Sequence, residues 1–349
     1  MNQTELLYSR LEQVEGRSLV TGVCALSVLA IGAILDPQQF FQAYLLGYLF
    51  WIGIALGCLG ILMLHNLTGG EWGVPIRAML ESAIQTFPLM AVLFLPFCLG
   101  LEHLYVWSRP EIVSADELLQ HKLSYLNTGF FLVRSAIYFT VWITLAHFLN
   151  KWSRQREKNG EQLQTDRLQN LSGPGLVLYG GTVTLASIDW VMSLDPHWYS
   201  TIYGLLFLVG QVLAALAFLV ALMEWLASYP PLSQVVVPQH FHDLGNLILA
   251  FVMLWAYMAF SQYLIIWSGN LAEEIPWYLR RMKGGWQWMA LFLIVFHFAL
   301  PFLLLLSRTA KRTGRILCRL AMVIFFMRFV DLFWTVVPSF EEKGLFLDW

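Results

Sequence analysis

The chain has 349 residues, of which 58% are hydrophobic and only 13% charged, with a mean hydropathy of +0.61. A soluble domain carries roughly 45–50% apolar and about 25% charged residues, so this composition excludes a water-soluble globule. The formal net charge of −2 argues against nucleic-acid binding, which needs a basic surface.

In chain order, residues 1–17 hold Glu5, Glu12 and Glu15, lack the basic start of a signal peptide, and read as a retained cytoplasmic segment. Nine apolar runs follow, each near the roughly 20 residues a helix needs to cross hydrocarbon. They lie at 19–35, 41–64, 78–101, 128–149, 175–194, 201–226, 244–267, 286–306 and 316–337. The runs are continuous rather than alternating, which selects helices over a barrel. The polar stretch 150–172, "NKWSRQREKNGEQLQTDRLQNLS", reads as a solvated linker between helix groups within a single transmembrane domain, 1–349. Twelve Lys and Arg fall on the side of the N-terminus and its sister loops, against six opposite, which places the N-terminus in the cytoplasm.

Cofactor motifs are missing. Cys24, Cys58, Cys98 and Cys318 lie far apart in apolar runs, with no haem-attachment or iron–sulphur spacing. No phosphate-binding glycine loop appears, and no cluster suggests a metal or a catalytic residue. What remains are ionisable residues at membrane depth, each costing at least about 2.5–3.5 kcal/mol on insertion scales. They are Glu81 with Gln85 one turn on, Arg134 with Tyr138, Asp189, Glu224, His242 with Asp243, His297, and Arg328 with Asp331 three residues later. Each has a plainer reading. Arg328 and Asp331 would serve as a structural pair joining helices, Asp243 as an N-cap, Asp195 as a turn former before Pro196, and Glu224 as a headgroup contact. His65, His147 and His297 have no spacing that favours a haem-ligating pair.

Two stretches, "GPGLVLYGGTVTLASIDWVMSLDPHWYSTIYG" and "HDLGNLILAFVMLWAYMAFSQYLIIWSGNLAEEIPWY", resemble the NrfD-like (polysulphide-reductase-like) membrane subunits of alternative complex III, the smaller of the two most closely. The resemblance runs from about Arg17 to the end of the sequence. It implies a multi-pass subunit of the bacterial inner membrane within a quinol:cytochrome c oxidoreductase. Its helices would form two four-helix bundles with peripheral helices, ten in all, and "EEKGLFLDW" stands where a tenth would begin. The implied partners are lipids, a second NrfD-like subunit, a periplasmic multihaem cytochrome c and iron–sulphur subunits. Haem c and the clusters would sit on those partners, with quinone or quinol the one ligand within reach of this chain.

For function, a proton route through Glu81, Arg134, Asp189, Glu224, Asp243, Arg328 and Asp331 is favoured over a quinol site built on Asp189 with His197. On this reading Asp189→Asn leaves assembly intact and lowers turnover. Asp195, Trp198, Glu273, Glu274, Trp277 and Arg280 form the expected docking surface for an extracytoplasmic redox subunit. The rival readings are a secondary transporter or ion conductor acting alone, which would show broken helices and inverted repeats, and a lone membrane enzyme. Pro88 and Pro301 interrupt apolar runs, but no repeat stands out.

Overall fold

A computed structural model describes residues 3–159, 162–340 and 344–345, so most of "EEKGLFLDW" lies outside the described residues. Among these there is no strand, and nine helical segments are long and apolar enough to cross a membrane. They are spans 1 to 9: Ser9–Leu35, Pro37–Thr68, Arg77–Leu99, Thr128–Arg156, Gln164–Leu194, Tyr203–Leu226, Pro238–Gly269, Trp286–Leu305 and Gly314–Ser339. The chain is an all-α, multi-pass membrane protein.

Spans 2 to 5 close one ring, each packing on the next and span 5 returning to span 2. Spans 6 to 9 close a second ring in the same way, and span 6 joins the two by lying against spans 2 and 5. Span 1 packs chiefly on span 2 and leaves most of its surface outward. Two four-helix bundles with one peripheral helix is the expected architecture.

Small residues let the rings meet. Gly53 and Gly57 stand one turn apart on span 2, the spacing that lets membrane helices approach closely. A Cβ on Gly57 would run into the backbone carbonyl of Gln211 and come within 2.7 Å of the Ala215 methyl. Gly57→Ala is therefore expected to cost roughly 1–3 kcal/mol through overpacking. Gly47→Ala on the same helix, where a Cβ meets nothing within 4 Å, should be neutral or mildly stabilising. Thermal unfolding of the two purified variants checks the contrast.

Helix ends follow local chemistry. Asp36 caps span 2 by accepting from the Gln39 amide at 3.1 Å, with Pro37 beginning the helix. Asn127 accepts from the Phe130 amide at 2.8 Å and opens span 4. Span 7 starts at Pro238, with the His240 ring accepting from the Val237 amide. Asp243 thus lies inside that helix and is not its N-cap. Asn270, in the left-handed region at φ 50°, ends it.

Prolines break two spans. Span 3 consists of three pieces, Arg77–Ile84, Phe87–Leu93 and Leu95–Leu99, with Pro88 and Pro96 opening the second and third. Carbonyls at the break need donors in hydrocarbon, and Tyr44 of span 2 donates to Leu93 O at 2.5 Å. Tyr48 adds a bond at 3.0 Å to Met90 O, which the Phe94 amide also reaches at 3.0 Å. In span 8, Ile294–Ala299 forms a π-turn immediately before Pro301. Widening that turn accommodates a proline ring that would otherwise press on the His297 carbonyl.

Two features differ from expectation. The stretch 150–172 is not an open linker, because the helices Thr128–Asn159 and Gln162–Trp190 cover nearly all of it. Its Lys, Arg, Gln and Glu are strong helix formers, so polarity there marks helix leaving the membrane. Residues 3–17 likewise continue the first helix, Gln3–Leu35.

The second difference is an internal correspondence. Both rings begin on the same side of the membrane and run through four alternating spans, so they are parallel copies in topology. The first spans share "GYLFWIG" (47–53) and "GLLFLVG" (204–210); the last share "DWVMSLDP" (189–196) and "DLFWTVVP" (331–338). In the latter pair, Ser193 Oγ donates to Asp189 O at 2.5 Å and Thr335 Oγ1 to Asp331 O at 2.7 Å, the same bond at the same offset.

Candidate functional site: two buried acid–base centres

Each ring holds one buried aspartate on its last span, and the two are satisfied very differently. In the first ring, Asp189 is completely buried on span 5 and faces Arg134 on span 4. The guanidinium grips it with both arms, Nε to Oδ2 at 2.8 Å and NH2 to Oδ1 at 2.9 Å, and the Tyr138 hydroxyl donates to Oδ2 at 2.7 Å. Arg134 spends its remaining arm on Tyr125 O at 2.9 Å, with the Tyr125 ring 3.8 Å and the Phe130 ring 4.4 Å from its carbon. Planar bidentate pairing of this kind is the strong form of the interaction. Burial, and then the charge of Asp189, push the Tyr125 phenol up to about 12, so it stays protonated at physiological pH.

In the second ring, Arg328 and Asp331 pair within span 9, one turn apart, as their spacing suggested. Both belong to one helix, so the ion pair itself joins no two helices, while the guanidinium also lies 5.3 Å from the Phe207 ring of span 6. Arg328 NH2 is buried without a partner, and the guanidinium lies against Gly210, where a Cβ would collide with it. His297 is fully buried on the π-turn, its ring edge-on to Trp255 at 4.4 Å, and neither ring nitrogen has a hydrogen-bond partner. Buried polar atoms are almost always bonded, so this centre is far less satisfied than that of the first ring.

The remaining candidates separate. Glu81 lies at the other end of the first ring, where Arg77 Nε donates at 2.9 Å and Ser153 Oγ at 2.5 Å. Gln85 accepts from Arg154 at 3.0 Å, so one face of span 3 is tied to the end of span 4. Glu224 reaches Gly314 at the start of span 9, where its carboxylate occupies the space of a missing Cβ. Asp243 accepts from Gln239 at 2.7 Å and lies 3.4 Å from His242.

The quinol pair of Asp189 and His197 is not formed. His197 is largely exposed and pairs with Asp116 at 2.7 Å, while both carboxylate oxygens of Asp189 are engaged by Arg134 and Tyr138. The intervening turn points His197 outward, away from the span.

Much of the expected docking surface is internal. Asp195 accepts from Arg280 at 2.6 Å and from Ser339 Oγ at 2.7 Å, tying the ends of spans 5 and 9 to the helix Ile275–Arg281. Trp198 stacks on Trp277 at 4.7 Å and both are buried, so neither faces a partner or lipid. Arg281 beneath them is fully buried and donates to Trp277 O, Trp334 O and Thr335 O, and burial pushes its pKa down to about 9, which leaves it cationic at neutral pH. Lys122 donates to Pro196 O at 2.6 Å, fastening the 101–127 segment over the same turn. Glu273 and Glu274 stay at the surface, Glu273 exposed and Glu274 half-buried.

Three uncharged residues leading to Asp189 had nothing to draw attention. Ser172, Tyr179 and Thr182 precede it on span 5 at intervals of seven, three and seven, one inward stripe of a helix. Asn66 Nδ2 donates to Ser172 Oγ at 3.2 Å, Trp142 Nε1 to Thr182 Oγ1 at 2.9 Å, and the buried Tyr179 hydroxyl has no partner. A cavity of about 160 Å3 opens beside Asn66, lined by His65, Arg77, Arg156 and Gln169 among others.

Among the described residues no cluster of three His, Cys, Asp or Glu could hold a metal. No family model matches the sequence, and no curated protein matches it.

Proposed function

We propose that this chain is an integral subunit of a bacterial quinol:cytochrome c oxidoreductase of the NrfD-like kind, residing in the cytoplasmic membrane with its N-terminus inside. In this reading it carries protons through its first ring, while partner subunits hold haem c and iron–sulphur clusters. The observation that carries the proton route is the polar stripe of span 5. It runs from the Asn66–Ser172 contact beside the cavity, past Tyr179 and Thr182, to the Arg134–Asp189–Tyr138 centre. Seven residues of helix span roughly 10 Å, so water must bridge the rungs, and the free Tyr179 hydroxyl offers one anchoring point. The two quoted stretches and the lack of cofactor motifs support membership of a multi-subunit redox complex. A transporter working by inverted repeats finds less support, because the two rings run parallel and their broken spans do not correspond.

Two measurements test this reading. Purification of the tagged chain from its native membranes should bring haem-containing partners; a lone, monodisperse protein would refute the complex. Tyr179→Phe then isolates the route. Removing a buried, unpartnered hydroxyl should leave stability unchanged or raise it by about 1 kcal/mol. Proton release by the reconstituted complex should nevertheless fall several-fold. Undiminished proton release in Tyr179→Phe would remove the stripe from the mechanism.

A further inference from the structure

A cavity of about 480 Å3 lies where the start of span 7 meets the end of span 8 and the linker after it. Its walls are Gln239, His242 and Asn246 from span 7, and Leu306, Arg308, Lys311 and Arg312 from the linker. Among the described residues, none of the three cations has a carboxylate partner within salt-bridge distance. Lys311 is nevertheless buried: its stem packs over Gly245 and its ammonium donates to Asn246 Oδ1 at 2.6 Å. The acidic neighbours are Asp243, already engaged by Gln239 and His242, and Glu224, which lies against Gly314 just past the linker. Among the described residues, the cavity therefore holds an excess of positive charge with no carboxylate paired to it.

We infer that this cavity binds the phosphodiester headgroup of an anionic phospholipid. The chemistry recognised is a phosphate anion held by two guanidiniums and an ammonium, with Gln239 and Asn246 able to bond headgroup hydroxyls. A lipid is favoured over a free anion by what lies next to the site. Leu306 is on the cavity wall, and Leu303 and Leu304 are exposed one turn deeper on span 8, so acyl chains have an apolar track leading away from the headgroup. The position also fits, since the cavity opens where two spans end and the linker begins, at headgroup level. Basic pockets between transmembrane helices are where such headgroups bind.

The test uses the full chain purified in a neutral detergent. Thermal unfolding is followed while cardiolipin or phosphatidylglycerol, phosphatidylcholine, or inorganic phosphate is added. Anionic lipid should raise Tm in a saturable manner, with phosphatidylcholine and millimolar phosphate ineffective. The double variant Arg308→Gln/Arg312→Gln should bind the anionic lipid about 30-fold more weakly, at roughly fivefold per charge. Arg315→Gln removes an exposed charge on the same side but outside the cavity, and should bind as the parent does. An equal response to phosphatidylcholine, full competition by inorganic phosphate, or equal weakening in Arg315→Gln would each overturn the assignment.

Discussion

Asp189→Asn is expected to destabilise the chain by about 3–5 kcal/mol, enough to deplete it from the membrane. Arg134 is almost fully buried, and among the described residues its two arms to Asp189 are its only anionic contact. An amide offers one acceptor and adds donors that face the guanidinium, so the charge is left stranded in a low dielectric. Arg134→Met should cost a similar amount for the mirror reason. The double variant Arg134→Met/Asp189→Leu removes both charges and should recover most of the loss; adding Tyr138→Phe removes the donor left without an acceptor. Membrane yield and thermal unfolding of the single, double and triple variants provide the thermodynamic cycle. The sequence alone suggested that Asp189→Asn would assemble normally, and the bidentate grip is why that expectation changes. A functional role for the charge is therefore best tested in the charge-free double variant: recovered folding without proton release supports the route.

The second ring should behave differently. Breaking the Arg328–Asp331 pair by Arg328→Met strands Asp331 and is expected to cost about 3–5 kcal/mol. The double variant Arg328→Met/Asp331→Leu is expected to match or exceed the parent in stability. Buried pairs often yield about 1–4 kcal/mol when replaced by apolar residues, and here the ion pair lies within one helix and leaves Arg328 NH2 unbonded. Comparable unfolding midpoints for parent and double variant would show that packing alone can hold this region. A double variant no more stable than Arg328→Met would mean that the pair orders the ring, with His297 as the next residue to examine.

Much of the architecture was legible because lipid imposes length and continuity on each span. Nine apolar runs became nine spans, and the Arg328–Asp331 pair followed from a three-residue spacing. Long-range pairing was not legible: Arg134 and Asp189 are 55 residues apart, and nothing local binds one to the other. Pro88 and Pro301 announced broken helices, though which carbonyls Tyr44 and Tyr48 would reach depended on packing. The polar stripe of span 5 was hidden by chemistry, because Ser, Tyr and Thr in an apolar run look like ordinary helix residues until their common face is seen. The repeat was missed because it preserves spacing, as in the shared Asp–Ser/Thr–Pro pattern, more than residue identity.

The depth of the two aspartates has an electrical consequence. At about 1.5 Å per residue, Asp189 stands roughly 8 Å from the Leu194 end of its span and Asp331 roughly 12 Å from the Ser339 end. Both ends lie on the same side, so the membrane voltage divides unequally about each centre. A full crossing is worth about 2.3 kcal/mol per charge at 100 mV. Over a core of about 30 Å the short leg takes roughly a quarter of it at Asp189 and about two-fifths at Asp331. An ion exchanged with the near side would feel the smaller part of the potential, whereas one arriving from the far side would do most of its electrical work before reaching either aspartate.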